Sequence, residues 1–188
     1  MLLSNYQYVL LISSRSGLTY TSIREGVYAD AFPVFMNWYP DSKELFLPAD
    51  GPVAWASRAE LGEATAKLML KEGFENQIVL LTGPKTYTFA DIVDTIRKIT
   101  GNELILHRVS AEEYVTKNAA IDEGKKPAQF FEAWRSLLEG VAEGEVVDVD
   151  PLMGELLGRQ QKDGLRVIED LLKENPGYTW HQNYMSFR

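Results

Sequence analysis

One local signal, repeated three times, does most to limit the folds open to this chain. Ser57 precedes Glu60 by three residues, Thr88 precedes Asp91 by three, and Ser110 precedes Glu113 by three. At a helix start the hydroxyl accepts from the backbone N–H three residues on. The acidic side chain reaches back and favours the positive end of the helix dipole. Each signal opens an apolar pattern of helical period. Leu61, Ala64, Leu68 and Met69 follow the first. Phe89, Ile92, Val93, Ile96 and Ile99 follow the second, which stops at Gly101, and the third is shorter. Aspartate is shorter than glutamate, so the box of Thr88 and Asp91 is expected to be the weakest of the three. Apolar β-like runs at residues 78–81 and 104–106 lie between these helices. Strands alternating with helices predict a layered α/β architecture.

The flanks are less regular. Residues 18–23 predict a strand. Residues 28–39 predict a helix with Tyr28, Phe32, Phe35, Met36 and Tyr39 on one face and Pro33 in its first turn, where proline is tolerated. Glu44–Leu47 and residues 53–56 are short extended segments separated by Pro48, Asp50, Gly51 and Pro52. After Lys126 the strand pattern ends. Residues 130–138 and 165–172 are helical, so the C-terminal third reads as a helical cap or subdomain.

Several chemistries are excluded. There is no cysteine, which removes thiolate zinc sites, thiol nucleophiles and CxxC redox pairs. His107 and His181 stand far apart without an HExxH pattern, so no metal site is expected. The net charge is -8, and residues 139–155 carry Glu139, Glu143, Glu145, Asp148, Asp150 and Glu155 with no Lys or Arg. A phosphate-tracking surface needs clustered cations, so nucleic acid is not an expected partner. The acidic run is read as a solvated connection between helices, with docking of a basic partner as the alternative. No apolar run reaches the ~18 residues that span a bilayer, so no membrane segment is expected. At the start, Asn5, Tyr6 and Gln7 interrupt the apolar run and the first basic residue, Arg15, follows it. That is the wrong order for a secretory signal. Residues 6–12 read instead as a buried strand or an irregular apolar extension, and a cytoplasmic location is expected.

The chain also lacks the common phosphate cradles. No two of its fourteen glycines are two residues apart, so the GxG that opens a dinucleotide fingerprint is missing. GxxxxGK and GxSxG are absent as well. Tyr39 and Lys43 have the Tyr-x-x-x-Lys spacing that lets an ammonium lower a phenol's pKa on a helix. Pro40, Asp41 and Ser42 give that stretch turn character instead. His107 reads as a structural histidine and His181 as packing or surface. No catalytic residue is assigned.

The segment SGLTYTSIREGVYAD, residues 16–30, resembles the strand and following loop of NmrA-like proteins, an atypical branch of the short-chain dehydrogenase superfamily. PVAWASRAELGEATAKLML resembles the family's next strand and acidic-capped helix. IVLLTGPKTYTFADIVDTIRKITGNELILHRVSAEEY resembles its C-terminal block. The resemblance implies an α/β fold with an incomplete Rossmann-like sheet, the C-terminal half, and a mainly helical C-terminal subdomain. Residues 1–15 would be an atypical N-terminal apolar extension, 16–109 the C-terminal part of the Rossmann-like domain, and 110–188 a helical subdomain on the substrate side. It also implies that the parent binds NADP or NAD. Glu25, Gly26, Val27 and Tyr28 would pass beside the nicotinamide, and Tyr28, Phe32, Phe35 and Met36 would line the substrate cleft. Ordinary core packing is the competing reading of that stripe. The family's first half, with its glycine-rich turn, has no counterpart before Ser16, so the chain alone is expected to bind no cofactor. The implied parent is an NAD(P)H-dependent oxidoreductase of a quinone or carbonyl substrate; the alternative is a non-catalytic NAD(P)-sensing regulator that binds a protein partner. Half a sheet would leave an unpaired edge open to self-association.

Overall fold

The computed structural model describes residues 13–180. The apolar extension expected at residues 6–12, and His181, lie outside the described residues. Two parallel ladders organise the α/β part. Strand β1 (Thr21–Glu25) precedes a short helix α1 (Phe32–Met36), strand β2 (Glu44–Leu47) and helix α2 (Arg58–Met69). Strand β3 (Gln77–Leu81), helix α3 (Phe89–Thr100) and strand β4 (Ile105–Arg108) follow. β1 pairs with β3, Thr21 opposite Gln77 and Glu25 opposite Leu81. β2 pairs with β4, Glu44 opposite Ile105 and Leu47 opposite Arg108. Parallel pairing needs a long crossover, which the helices supply.

The remaining elements are helical: α4 (Ala111–Ile121), α5 (Ala128–Ala142), α6 (Leu152–Leu157) and α7 (Gly164–Glu174). Helix α3 packs on α7, α4 on α5, and α2 on α6. The larger core gathers Phe32, Met36, Trp38, Trp55, Phe89 and Phe131 with apolar residues of α3 and α7. A smaller core joins Val79 and Leu81 of β3 to Leu61, Ala64 and Leu68 of α2 and to Met153, Leu156 and Leu157 of α6. Losing a buried leucine such as Leu81 would cost about 2–5 kcal/mol.

All three expected helix starts are present. Ser57, Thr88 and Ser110 accept from the backbone N–H of Glu60, Asp91 and Glu113. The expected ranking of the boxes is reversed, however. Asp91 and Glu113 both complete reciprocal boxes. Glu60 turns away, because its buried carboxylate pairs with Arg159 and accepts from the Lys162 N–H at 2.9 Å. Gly101 ends α3 in the left-handed region at φ 72°, where a side chain would be strained.

Three expectations shift. β1 begins at Thr21 rather than Leu18, because the bond from Asn76 N–H to the Tyr20 carbonyl, at 2.6 Å, sets where pairing with β3 starts. The helix expected over 28–39 is a 3-10 turn, Ala29–Ala31, followed by α1. Asn37 stops α1 at φ 49°, and Pro33 does sit in its first turn. Residues 53–56 form only isolated bridges, Tyr28 with Ala56 and Val53 with Tyr87.

Parallel sheets normally have both faces covered. Here Val79 and Leu81 bury one face of the first ladder, while Ile78 on the opposite face is 51% exposed. Among the described residues, β1 has no second strand partner on its other edge.

Candidate functional site

The site is built where β1 ends. The Gly26 N–H donates to the Leu81 carbonyl at 2.7 Å, and the Ala56 N–H to the Val27 carbonyl at 2.9 Å. These bonds pin the loop of Glu25, Gly26 and Val27 between β3 and the segment carrying Trp55. Gly26 is required by close approach: a Cβ there would lie 3.2 Å from the Ala54 carbonyl oxygen and from Thr82 Cα. A side chain at Gly26 would therefore crowd the neighbouring backbone.

Two cavities meet at this loop. The inner one, of about 390 Å³, is lined by Arg24, Glu25, Gly26, Val27, Leu80 and Thr82 together with Glu145, Val146 and Asp148. The outer one, of about 310 Å³, is lined by Val27, Phe35, Ser136, Glu139, Glu143, Glu145 and Val146, among others. Val27, Glu145 and Val146 belong to both, so the two are lobes of one cleft. The inner lobe lies at the carboxyl ends of parallel strands, the usual ligand position in open α/β sheets.

The expected site residues divide. Glu25, Gly26 and Val27 line the inner lobe. Tyr28 lines neither lobe. Its ring packs beside the smaller core, 6.5 Å from the Trp180 ring, and its hydroxyl donates to Glu25 at 2.6 Å. That bond, then burial, raises the phenol's pKa. Of the aromatic stripe, Phe35 reaches the outer lobe, with its ring against Trp55 at 5.6 Å and Trp134 at 5.5 Å. Phe32 and Met36 are both 0% exposed, belong to the core and line neither lobe. Their helix is so short that one turn separates a core position from a cleft position.

The sequence did not mark Glu139, Glu143, Glu145, Val146 and Asp148 as site residues. The signal was present as the acidic run, read as a solvated connection. The run does form an exposed connection between α5 and α6, and its residues also line both lobes. Tyr39 and Lys43 form no catalytic pair: Tyr39 bonds Asp122 and Lys126 inside the protein. His107 stacks on Phe46 at 5.1 Å and faces Glu44 at 3.0 Å, away from both lobes. No metal-holding cluster occurs among the described residues, and no helix among them is long and apolar enough to cross a membrane.

Fold and cleft together define a partial Rossmann-like α/β unit. No family model matches the chain. It is 47% identical over 169 residues to an NmrA-like family domain-containing oxidoreductase, flvB, of Aspergillus flavus, a match covering 90% of this chain and 55% of that protein. Among solved structures, an NADPH-dependent quinone oxidoreductase of Escherichia coli aligns with TM-score 0.78 at 18% identity, over 90% of this chain and 61% of that one. NmrA, a negative transcriptional regulator in complex with NADP, aligns with TM-score 0.58 at 15% identity, over 93% and 59%. The chain is thus similar to NmrA-like proteins over most of its own length, and it spans about half the length of the curated relatives it matches.

Proposed function

We propose that this chain is the substrate-cleft portion of an NAD(P)H-dependent oxidoreductase acting on a quinone or carbonyl compound. The observation that carries the reading is the two-lobed cleft at the end of β1, with the pinned loop of Glu25, Gly26 and Val27 between its lobes. The 47% identical relative is named an oxidoreductase, and the Escherichia coli quinone oxidoreductase has been solved with NADPH.

The inner lobe suits the nicotinamide end of a dinucleotide. Gly26 presents bare backbone, Val27 an apolar wall, and Thr82 a hydroxyl. Tyr28 acts as a positioning residue, holding the Glu25 carboxylate through its 2.6 Å bond. The pyrophosphate end finds no glycine-rich turn in this sequence. When bound, the dinucleotide would supply a hydride. Phe35 forms the aromatic wall against which a planar acceptor would lie, and the α5 end of the outer lobe would exclude water from it.

The chain alone is then a half-site. Further strands would pair the free edge of β1 and their crossover helices would cover the open face around Ile78, or a second copy would pair the same edge. The test joins this chain to the part of the Aspergillus flavus relative that it does not match. NADPH oxidation is then followed with a panel of quinones and carbonyl compounds. Turnover by the joined protein supports the reading. Tight NADPH binding with no turnover of any acceptor would favour a cofactor-sensing regulator, and no NADPH binding would overturn both.

A further inference from the structure

Another cavity, of about 400 Å³, shares no lining residue with either lobe of the cleft. It opens between the residues that lead into β2 and the C-terminal end of α4. Asn37 and Tyr39 line it, and they are only 4% and 2% exposed. Tyr39 is held by its bonds to Asp122 and Lys126. Both Oδ1 and Nδ2 of Asn37 are buried without a hydrogen-bond partner among the described residues. Buried polar side chains are normally paired, and an unpaired one costs stability. The left-handed backbone of Asn37, at φ 49°, does not account for that cost, because glycine would end α1 there with no amide to bury. The unpaired amide points to a ligand that both accepts and donates.

The groups around the opening are likewise of both signs. Lys43, Lys117 and Glu123 form no ion pair with the described residues, whereas Glu44 faces His107 at 3.0 Å. Lys117 Nζ rests over the Phe46 ring at 4.8 Å. Ser42 Oγ accepts from the Tyr39 N–H at 2.9 Å, which leaves its hydrogen to donate. Helix α4 has no basic residue in its last turn, so the partial negative charge of its final carbonyls is uncompensated. Ala120 and Ile121, the latter 49% exposed, add an apolar wall.

We propose that this cavity binds a small zwitterion with an apolar side chain, the chemistry of a free aliphatic α-amino acid. Lys43, Lys117 and the Ser42 hydroxyl take the carboxylate. Glu123 and the carbonyl end of α4 take the ammonium. Asn37 spans the two, donating through Nδ2 to the carboxylate and accepting through Oδ1 from the ammonium. Ala120 and Ile121 pack on the aliphatic part. A ligand with only one of the two charges leaves the opposite groups unanswered. The site lies apart from the cleft, so the proposal stands independently of the reductase reading.

All lining residues belong to the described part of the chain, and binding is tested on the 188-residue protein itself. L-leucine, 4-methylpentanoate and 3-methylbutylamine are titrated by calorimetry at neutral pH. The second lacks the ammonium and the third lacks the carboxylate. L-leucine is expected to bind at least about tenfold tighter than either. Asn37→Gly suits the left-handed backbone and removes the amide. It is expected to weaken L-leucine binding by about tenfold or more with an unchanged circular-dichroism spectrum. Lys43→Gln, at an exposed position, is expected to weaken L-leucine and leave 3-methylbutylamine unaffected. No binding of L-leucine, equal binding of L-leucine and a one-charge analogue, or L-leucine binding undiminished in either variant would each overturn the proposal.

Discussion

Tyr39 Oη and Lys126 Nζ lie 3.0 Å apart in the interior, 87 residues from each other in sequence. The same phenol donates to Asp122 Oδ1 at 2.8 Å and accepts from the Gly124 N–H at 3.0 Å. Lys126 also pairs with Asp122, whose side chain is 0% exposed. This closed network fastens the connection between α4 and α5 to the loop that leads into β2. Burial raises the Tyr39 pKa and lowers that of Lys126, and neither side chain lines the cleft.

Tyr39→Phe removes one donor and leaves the buried Gly124 N–H without its partner, so it should cost about 1–3 kcal/mol. Lys126→Met strands the Asp122 carboxylate and should cost more, about 3–5 kcal/mol. Urea unfolding of the two variants checks both size and order. Equal, near-zero effects would show that the network is not fastening anything.

Trp55 is wedged between two glycines. A Cβ at Gly83 would come within 1.9 Å of the Trp55 carbonyl oxygen, and one at Gly164 within 2.6 Å of Trp55 Cβ. Gly83→Ala should therefore force the segment beside the cleft to shift, at a cost of about 3 kcal/mol or more. Gly62, inside α2, has nothing within 4 Å of its Cβ position. Gly62→Ala should stabilise by about 0.5–1 kcal/mol, since alanine favours helix. Thermal melts of the pair should move in opposite directions.

Asp163 gives a defined pH response. Burial opposes its ionisation, but the Tyr87 hydroxyl at 2.5 Å, Lys85 at 3.2 Å and the Leu165 N–H at 3.0 Å outweigh that and hold its carboxyl below the usual aspartate range. Its folded pKa is thus lower than its unfolded one, and the unfolded chain binds more protons between the two. The stabilisation is present above the unfolded value and disappears as pH falls through the folded value. Asp163→Asn should flatten the acid limb of a stability-versus-pH curve measured by denaturant midpoints. A limb as steep as that of the original protein would assign acid sensitivity elsewhere.

The local signals in this chain were legible because their physics is local. A hydroxyl three residues ahead of an acid fixed the starts of α2, α3 and α4, and Gly101 marked an end. Glu44–Leu47 was readable as a strand because alternating turn residues bracket it. What escaped depends on distant partners. Lys126 has no sequence relation to Tyr39, so a nearby match, Lys43, drew attention instead. Phe32 and Phe35 share a periodic stripe, but periodicity does not say which neighbour covers each ring. Helix α6 starts inside the acidic run and has six residues, too few to build a period, and its Met153 and Leu157 are buried only because α2 and β3 lie opposite. The same run supplied the carboxylates of the cleft, and only the fold could show that they meet the loop at Gly26.

The central claim is that this chain holds one half of a dinucleotide site. Calorimetric titration of NADPH into the 188-residue protein tests it most directly. The expected result is no measurable binding, because this sequence holds no glycine-rich turn to cradle a pyrophosphate. Micromolar binding, weakened by a bulky substitution at Gly26, would contradict the claim and make the chain a complete cofactor site.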